Sequence, residues 1–70
     1  MQNKIILIGR ILQSLSNNLY KIKLKKNKNI VIGYLSGKMR KNYIRVLPGD
    51  KVKLEFSIYD INRCIIKYRY

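Results

Sequence analysis

The stretch Tyr20-Lys21-Ile22-Lys23-Leu24-Lys25 alternates apolar and cationic side chains at every position. Successive side chains of a strand point to opposite faces, so this alternation predicts a β-strand with one apolar face and one face of lysines. Lysines that share one strand face repel each other unless something negative lies opposite them. The stretch therefore predicts a half-buried strand whose outer face suits an anionic partner.

Four further apolar runs flank this strand, and turn residues separate them. The first run is long and contains Gly9, which predicts a bulge or a sharp bend as the strand curls around a small barrel. Gly33, in the third run, predicts another close approach of the backbone. The predicted strands are residues 4–15, 20–24, 30–35, 51–57 and 63–70, with loops at residues 16–18, 26–29 and 59–62.

The segment after Ser36 lacks strand alternation and is predicted to form a short helix over residues 37–44, with Ser36 as its N-cap. Met39 and Tyr43 are four residues apart and are predicted to face the barrel. Lys41 and Arg45 are also four apart and are predicted to point towards solvent. The helix is expected to dock on the barrel and to present charge.

A type II turn is predicted at residues 47–50, because Pro48 suits its second position and Gly49 accepts the positive φ of its third. Three strands, a short helix and two strands form the element order of the OB-fold. The predicted fold class is therefore all-β, a five-stranded OB-fold barrel with a short helix between strands 3 and 4. One OB-fold domain is expected over residues 1–70, and an SH3-like barrel is the alternative.

Positive charge dominates the composition. Sixteen Lys and Arg face three Asp and Glu, which gives a net charge of +13. This excess repels itself but becomes favourable beside a polyanion, and nucleic acid is the favoured partner over anionic membrane or acidic protein. For some lysines the alternative explanation is an AT-rich coding sequence and not contact with a partner, since Lys, Asn, Ile and Tyr have AT-rich codons. That alternative applies best to Lys25, Lys26 and Lys28 in the loop region.

The residue inventory disfavours catalysis and metal binding. The chain has no histidine and one cysteine, which excludes an intramolecular disulfide and a Cys/His zinc site. Its three carboxylates are scattered, and it has no Gly-rich phosphate loop. Cys64 lies in an apolar strand pattern and is predicted to be a small buried hydrophobe. We expect a non-enzymatic protein without cofactor or metal, with no signal or transit peptide and no membrane span.

The segment Ser36-Gly37-Lys38-Met39-Arg40-Lys41-Asn42-Tyr43-Ile44-Arg45-Val46-Leu47-Pro48-Gly49-Asp50-Lys51-Val52 closely resembles the signature of the bacterial and plastid translation initiation factor one family. The resemblance implies an OB-fold that binds the decoding region of the small ribosomal subunit, at the aminoacyl-tRNA site. It implies contact with small-subunit rRNA and a neighbouring ribosomal protein, and joint action with initiation factors two and three. A monomer without a small-molecule substrate is expected.

Two further features refine this resemblance. The run Gly33-Tyr34-Leu35 and the turn at residues 47–50 resemble the plastid branch, since bacterial relatives more often have histidine at the position of Tyr34. A plastid location (chloroplast stroma) is therefore expected, with bacterial cytoplasm as the alternative. The chain departs from the family at Ile65, where an RNA-facing arginine is usual, and at Ser16, where proline is common. The role of that arginine is not carried onto Ile65.

The candidate rRNA-binding residues form two groups and one tyrosine. The first group lies on the helix segment and is the densest cationic cluster. Its arginines can bind a phosphate through two N–H groups of the planar guanidinium. The alternative is a solvated helix face. The second is predicted to form one basic wall on the strands, with Arg10 and Lys53 as weaker candidates. Tyr34 is predicted to stack on a base, and four other aromatic residues are predicted to be core. The helix group is Lys38, Arg40, Lys41 and Arg45, the wall is Lys21, Lys23, Lys67 and Arg69, and the core aromatics are Tyr20, Tyr43, Phe56 and Tyr68.

Two other functions stay open from the sequence. A general single-strand RNA-binding protein or RNA chaperone would use the same fold, although the chain lacks an interleaved aromatic run of the cold-shock kind. A membrane-active or structural cationic protein would use the lysine-bearing strands, although no amphipathic helix of useful length is predicted.

Overall fold

The computed structural model describes residues 4–70, apart from the side chain of Ile61. Its five strands form a closed barrel in the order β1-β2-β3-β5-β4, with one short helix between the third and fourth strands. The prediction of an all-β, five-stranded OB-fold barrel is confirmed. The elements are β1 (Lys4–Ser16), β2 (Leu19–Leu24), β3 (Ile30–Leu35), α1 (Gly37–Lys41), β4 (Lys51–Ser57) and β5 (Asp60–Arg69).

Strand β1 curls around the barrel and pairs with two strands in turn. Residues 4–10 pair with β4, and residues 9–16 pair with β2. Gly9 lies in the overlap, where a Cβ would come within 2.8 Å of Ile22 Cγ2 and 3.0 Å of the Lys23 carbonyl oxygen. The register shifts of this strand lie beyond Gly9, within residues 11–16. Gly9 therefore permits a close approach of strands and is not itself the bulge.

Parallel pairing of β3 with β5 closes the barrel, whereas the other strand pairs are antiparallel. Gly33 lies opposite Cys64 in this pairing. A Cβ on Gly33 would lie 2.6 Å from Ile22 Cδ1 and 2.9 Å from Cys64 Sγ. The close approach predicted at Gly33 is confirmed.

The core fills the barrel with inward-facing side chains from every strand, and Met39 of α1 and Val46 join it at one end. Burial of a Val, Leu or Ile side chain stabilises the fold by about 1.5–3 kcal/mol. Phe56 is 3% exposed, as predicted, and Tyr20 is only partly buried against the core. The most deeply buried side chains are Ile11, Ile22, Val52, Leu54 and Ile66.

Cys64 is buried in this core and is a free thiol. Its Sγ donates to the Ile32 carbonyl oxygen at 3.6 Å. Burial raises the pKa of the thiol to about 12, because the thiolate would lose its hydration. Cys64 is thus the small buried hydrophobe that the sequence predicts.

Strand β5 begins at Asp60, three residues before its predicted start. Ser57 pairs with Asp60 across a turn formed by Ile58 and Tyr59, so the predicted loop at residues 59–62 is mostly strand. The Asp60 carboxylate accepts a hydrogen bond from the Asn62 N–H at 3.2 Å. This local bond stabilises the start of β5. The polar residues of the segment had led to the prediction of a loop there.

A bulge in β5 reverses the alternation of its last residues. Leu54 pairs with Ile66 but Lys53 pairs with Tyr68, which leaves Lys67 as the extra residue. Tyr68 consequently shares a face with Lys53, whose Nζ lies 5.8 Å from the ring centroid. Tyr68 is 54% exposed, so its predicted place in the core was wrong.

Helix α1 ends at Lys41, three residues before its predicted end, and its N-cap is confirmed by a 3.2 Å bond from the Met39 N–H to Ser36 Oγ. At the other end, the Tyr43 N–H donates to the Arg40 carbonyl at 3.2 Å, and the Ile44 N–H donates to the Met39 carbonyl at 3.0 Å. This pair of bonds is the Schellman motif, which needs a left-handed residue after the C-cap.

Tyr43 is that left-handed residue, with φ of +55°. Its side chain is 92% exposed, so the prediction that Tyr43 faces the barrel was wrong. The helical spacing from Met39 fails because the helix stops at Lys41, and Ile44 packs against the core instead.

The turn at residues 47–50 is confirmed. The Asp50 N–H donates to the Leu47 carbonyl at 3.0 Å, and Gly49 has φ of +92°. The Asp50 carboxylate also accepts the Leu47 N–H at 2.8 Å. These bonds fix the start of β4 relative to the segment that follows α1.

Candidate nucleic-acid interface

A cationic surface forms where α1 ends. After the helix, Ile44 and Val46 pack inwards, and Tyr43 and Arg45, which alternate with them, are exposed. Arg69 joins this surface from β5, because its Nη1 donates to the Arg45 carbonyl oxygen at 2.8 Å. We name this surface the helix-end cluster and define it as Lys38, Arg40, Lys41, Tyr43, Arg45 and Arg69.

A shallow depression of about 430 Å³ lies within the helix-end cluster. Arg40, Tyr43 and Arg45 line it together with Asn18 and Tyr20. The Asn18 carbonyl accepts the Leu35 N–H at 3.1 Å, which holds the β1–β2 turn beside the start of the helix. Guanidinium groups and tyrosine rings at one depression are suited to the phosphates and bases of a nucleic acid.

The positive charge of the helix-end cluster is not neutralised within residues 4–70. Each of the three carboxylates is engaged elsewhere: Asp50 with the Leu47 N–H, Asp60 with the Asn62 N–H, and Glu55 with Lys4 Nζ at 3.5 Å. An exposed pair such as Lys4–Glu55 contributes little stability. The cluster cations therefore repel one another until an external anion binds.

The four residues of the predicted basic wall are not brought together, because β3 lies between β2 and β5. Lys21 is half-buried opposite Ile32, and Arg63 lies on the other side of Ile32. Lys23 lies opposite Arg10 on β1. Arg69 contacts Arg45, and Lys67 is the exposed bulge residue. The wall is replaced by separate cationic sites.

Tyr34 lies on the outer face of β3, between Leu19 of β2 and Ile65 of β5, and is 42% exposed. Ile65 is half-buried and also lies opposite Glu55. The position where the family usually has an arginine is therefore an apolar neighbour of Tyr34. Base stacking on Tyr34 stays a prediction.

Tyr43 of the helix-end cluster and Arg63, a cationic neighbour of Lys21, were not among the site residues predicted from the sequence. Tyr43 was assigned to the core from its spacing to Met39, and only the early end of the helix exposes it. Ile32 of β3 pairs with Lys21 of β2 on one side and with Arg63 of β5 on the other. This alignment depends on the parallel register of β3 and β5, which the sequence around Arg63 does not reveal. The clue available for Tyr43 was the run of cations around it, which disfavours a long buried helix.

Within the described residues, no group of three or more His, Cys, Asp or Glu side chains is placed to hold a metal ion. In the same part of the chain, no helix has the length and apolar character needed to cross a membrane.

The small OB-fold barrel, its basic surface and its exposed tyrosines are the features typical of oligonucleotide-binding barrels. Over residues 2–70 the chain matches the family described as Translation initiation factor 1A / IF-1, and it belongs to that family. The solution structure of translation initiation factor IF-1 from the wolbachia endosymbiont strain TRS of Brugia malayi superposes with a TM-score of 0.80 and 31% identity, covering 99% of this chain and 80% of that one. This match supports the OB-fold over the SH3-like alternative.

Two plant relatives are both named Translation initiation factor IF-1, chloroplastic. The Glycine max protein is 48% identical over 61 residues, which cover 87% of this chain and 44% of that protein. The Solanum lycopersicum protein is 52% identical over 61 residues, which cover 87% of this chain and 38% of that protein. The chain thus spans less than half the length of these relatives. Translation initiation factors are not enzymes, which agrees with the expected absence of catalysis.

Proposed function

We propose that the chain is a translation initiation factor that binds the decoding region of the small ribosomal subunit, at the aminoacyl-tRNA site. It would bind small-subunit rRNA as a monomer, lie beside a ribosomal protein, and promote initiation together with initiation factors two and three. The observation that carries the proposal is the helix-end cluster, which lies within the family signature apart from Arg69 and has no internal carboxylate partner among residues 4–70. The chloroplastic relatives support a location in the plastid stroma.

The geometry of this surface supports a mechanism of binding through phosphates and bases. Arg40 and Arg45 flank a depression in which phosphate oxygens could accept their N–H groups, and Lys38 and Lys41 add longer-range attraction. Tyr43 and Tyr34 present rings for stacking. Binding at this site would block the entry of aminoacyl-tRNA during initiation by occupying the space.

The test is chemical footprinting of small-subunit rRNA at two salt concentrations. The variant Arg40→Gln/Arg45→Gln is compared with the control Lys4→Gln/Lys26→Gln, which has the same net charge and leaves α1 intact. We expect protection confined to the decoding region, fading at high salt, and weakened roughly tenfold per arginine in the first variant. Stimulation of initiation in a plastid extract with factors two and three should fall in parallel.

Two outcomes contradict the proposal. One is diffuse protection of small-subunit rRNA that both variants reduce equally, which would reflect net charge alone. The other is tight binding to short unstructured RNA with no preference for small subunits, which would favour the general single-strand RNA-binding function.

A further inference from the structure

A second cationic surface lies on the part of the barrel formed by β1, β2 and β4. Arg10 of β1 lies directly opposite Lys23 of β2 and also directly opposite Lys51 of β4. Side chains directly opposite each other in antiparallel strands share a face with Cβ atoms about 4.5–5.5 Å apart. Three cations thus form one row across three adjacent strands, and all three are exposed.

Two loop lysines extend this row into a depression. The Lys25 N–H donates to the Ile8 carbonyl oxygen at 2.9 Å, which fixes Lys25 beside β1. Lys28 has φ of +65°, and its N–H donates to the Leu24 carbonyl at 3.1 Å. Both side chains line a depression of about 400 Å³ together with the row. We name this surface the lysine cleft and define it as Arg10, Lys23, Lys25, Lys28 and Lys51.

The lysine cleft concentrates charge at a cost to stability. Like charges directly opposite one another destabilise a sheet, and no carboxylate within residues 4–70 pairs with these five cations. Arg10 has one hydrogen bond, from Nη1 to the Gly49 carbonyl at 2.9 Å, which orients the guanidinium without neutralising it. A phosphate chain along the row would remove the repulsion and release counterions.

Exposed tyrosines adjoin the cleft at Lys51. Lys51 Nζ lies 5.3 Å from the Tyr70 ring centroid, and Tyr70 packs edge-on against Tyr68 with centroids 5.1 Å apart. The bulge at Lys67 is what places Tyr68 on this outer face. The two rings are 54% and 59% exposed. Proteins that bind single-stranded nucleic acid without sequence preference use a cationic groove for the phosphate backbone and aromatic rings for the bases.

We propose that the lysine cleft and the Tyr68–Tyr70 pair form a second nucleic-acid site, which binds a single-stranded RNA segment by its phosphates and bases. This site uses residues outside the helix-end cluster and does not depend on where the chain binds a small subunit. It would let one barrel hold a flexible RNA strand while the helix-end cluster contacts another RNA surface.

The experiment compares two variants of equal net charge, each three units below the +13 of the chain. Arg10→Gln/Lys23→Gln/Lys51→Gln removes the row, and Lys38→Gln/Arg40→Gln/Lys41→Gln is the matched control. The probe is a fluorescent oligouridylate of about eight nucleotides, within the usual site size of an OB-fold. Affinity is measured by anisotropy over a range of salt concentrations, with circular dichroism as the folding check.

We expect the row variant to bind the oligouridylate at least tenfold more weakly and to lower the salt slope by about 2, since each phosphate contact to a single strand contributes about 0.7. The control should lose less than threefold in affinity. Tyr68→Ser/Tyr70→Ser should weaken binding roughly tenfold or more while leaving the salt slope unchanged. If the row variant does not fold, Lys23→Gln and Lys51→Gln singly should each lower the slope by about 0.7.

Equal losses in the two charge-matched variants would overturn the proposal, as would an unchanged affinity in the row variant. Loss of binding to phosphatidylserine vesicles, but not to RNA, in the row variant would also overturn it. Small-subunit binding separates this test from that of the proposed function, because the control should lose it, whereas the row variant should lose less of it than of oligouridylate binding.

Discussion

Replacing Tyr43 by glycine tests whether this residue is retained for binding at the expense of stability. Tyr43 occupies the left-handed position that ends α1, with φ of +55°, and its side chain is 92% exposed. Glycine is the usual residue at this position of a Schellman motif because it has no Cβ. The ring contributes almost no buried area, so its removal should cost the fold little.

The substitution affects folding and binding in opposite directions. Relief of the left-handed strain should raise the free energy of unfolding by about 1–2 kcal/mol. The greater freedom of glycine in the unfolded chain should lower it by about 0.4–1 kcal/mol. Tyr43→Gly should therefore be as stable as the parent or more stable by about 1 kcal/mol, a rise in Tm of roughly 4–8 °C for a domain of this size. Loss of a stacked base would cost binding about 1–3 kcal/mol, or roughly 5- to 150-fold in Kd.

The assay pairs thermal unfolding with small-subunit affinity at one fixed salt concentration. Tyr43→Phe keeps the ring and should bind nearly as the parent does. Tyr43→Ala lacks the ring but keeps the left-handed strain, so it should bind weakly without the gain in Tm. Parental affinity in Tyr43→Gly would refute base contact by the ring. A fall in Tm would show instead that the ring stabilises the helix end.

Three further changes probe the fold that positions the interface. Ser36→Ala removes the N-cap bond to the Met39 N–H and should lower the free energy of unfolding in urea by about 1 kcal/mol, whereas Ser36→Asp should retain most of it. Gly33→Ala brings a methyl group within 2.6 Å of a core atom and should destabilise by about 1–3 kcal/mol, whereas Gly37→Ala, with nothing within 4 Å, should not; equal urea midpoints would refute this packing. Because burial raises the pKa of the Cys64 thiol from 9.0 to about 12, the folded chain keeps a proton that the unfolded chain loses. Its stability should decline as pH rises from about 9 towards 12, and Cys64→Ala should decline less in matched urea titrations.

The sequence predicted the parts of the fold that depend on local chemistry. Period-two alternation located β2 and β4, Ser36 marked the start of the helix, and Pro48-Gly49 marked the turn before β4. Each of these signals lies within a few neighbouring residues. The element order that they define was sufficient to predict the barrel.

The errors arose where distant strands decide the outcome. The bulge at Lys67 has no special composition, and it is visible only in the register of β5 against β4. That one extra residue moved Tyr68 out of the predicted core. Tyr43 was misplaced because a lysine- and arginine-rich helix stops sooner than residue spacing implies. The lysine cleft was missed for the same reason as the bulge, since its cations lie on three strands and a loop.

The hydrogen bond from the Ser36 N–H to the Ile66 carbonyl, 3.1 Å long, has a consequence for the order in which the chain becomes functional. It joins the N-cap residue of α1 to the strand made last among the five, and the Arg69–Arg45 bond links the same strand to the segment that follows α1. A chain still lacking β5 would thus have every lysine and arginine of α1 but no fixed arrangement of them. If the helix-end cluster binds RNA as proposed, that binding should therefore appear abruptly when the final strand docks, rather than grow with chain length during synthesis.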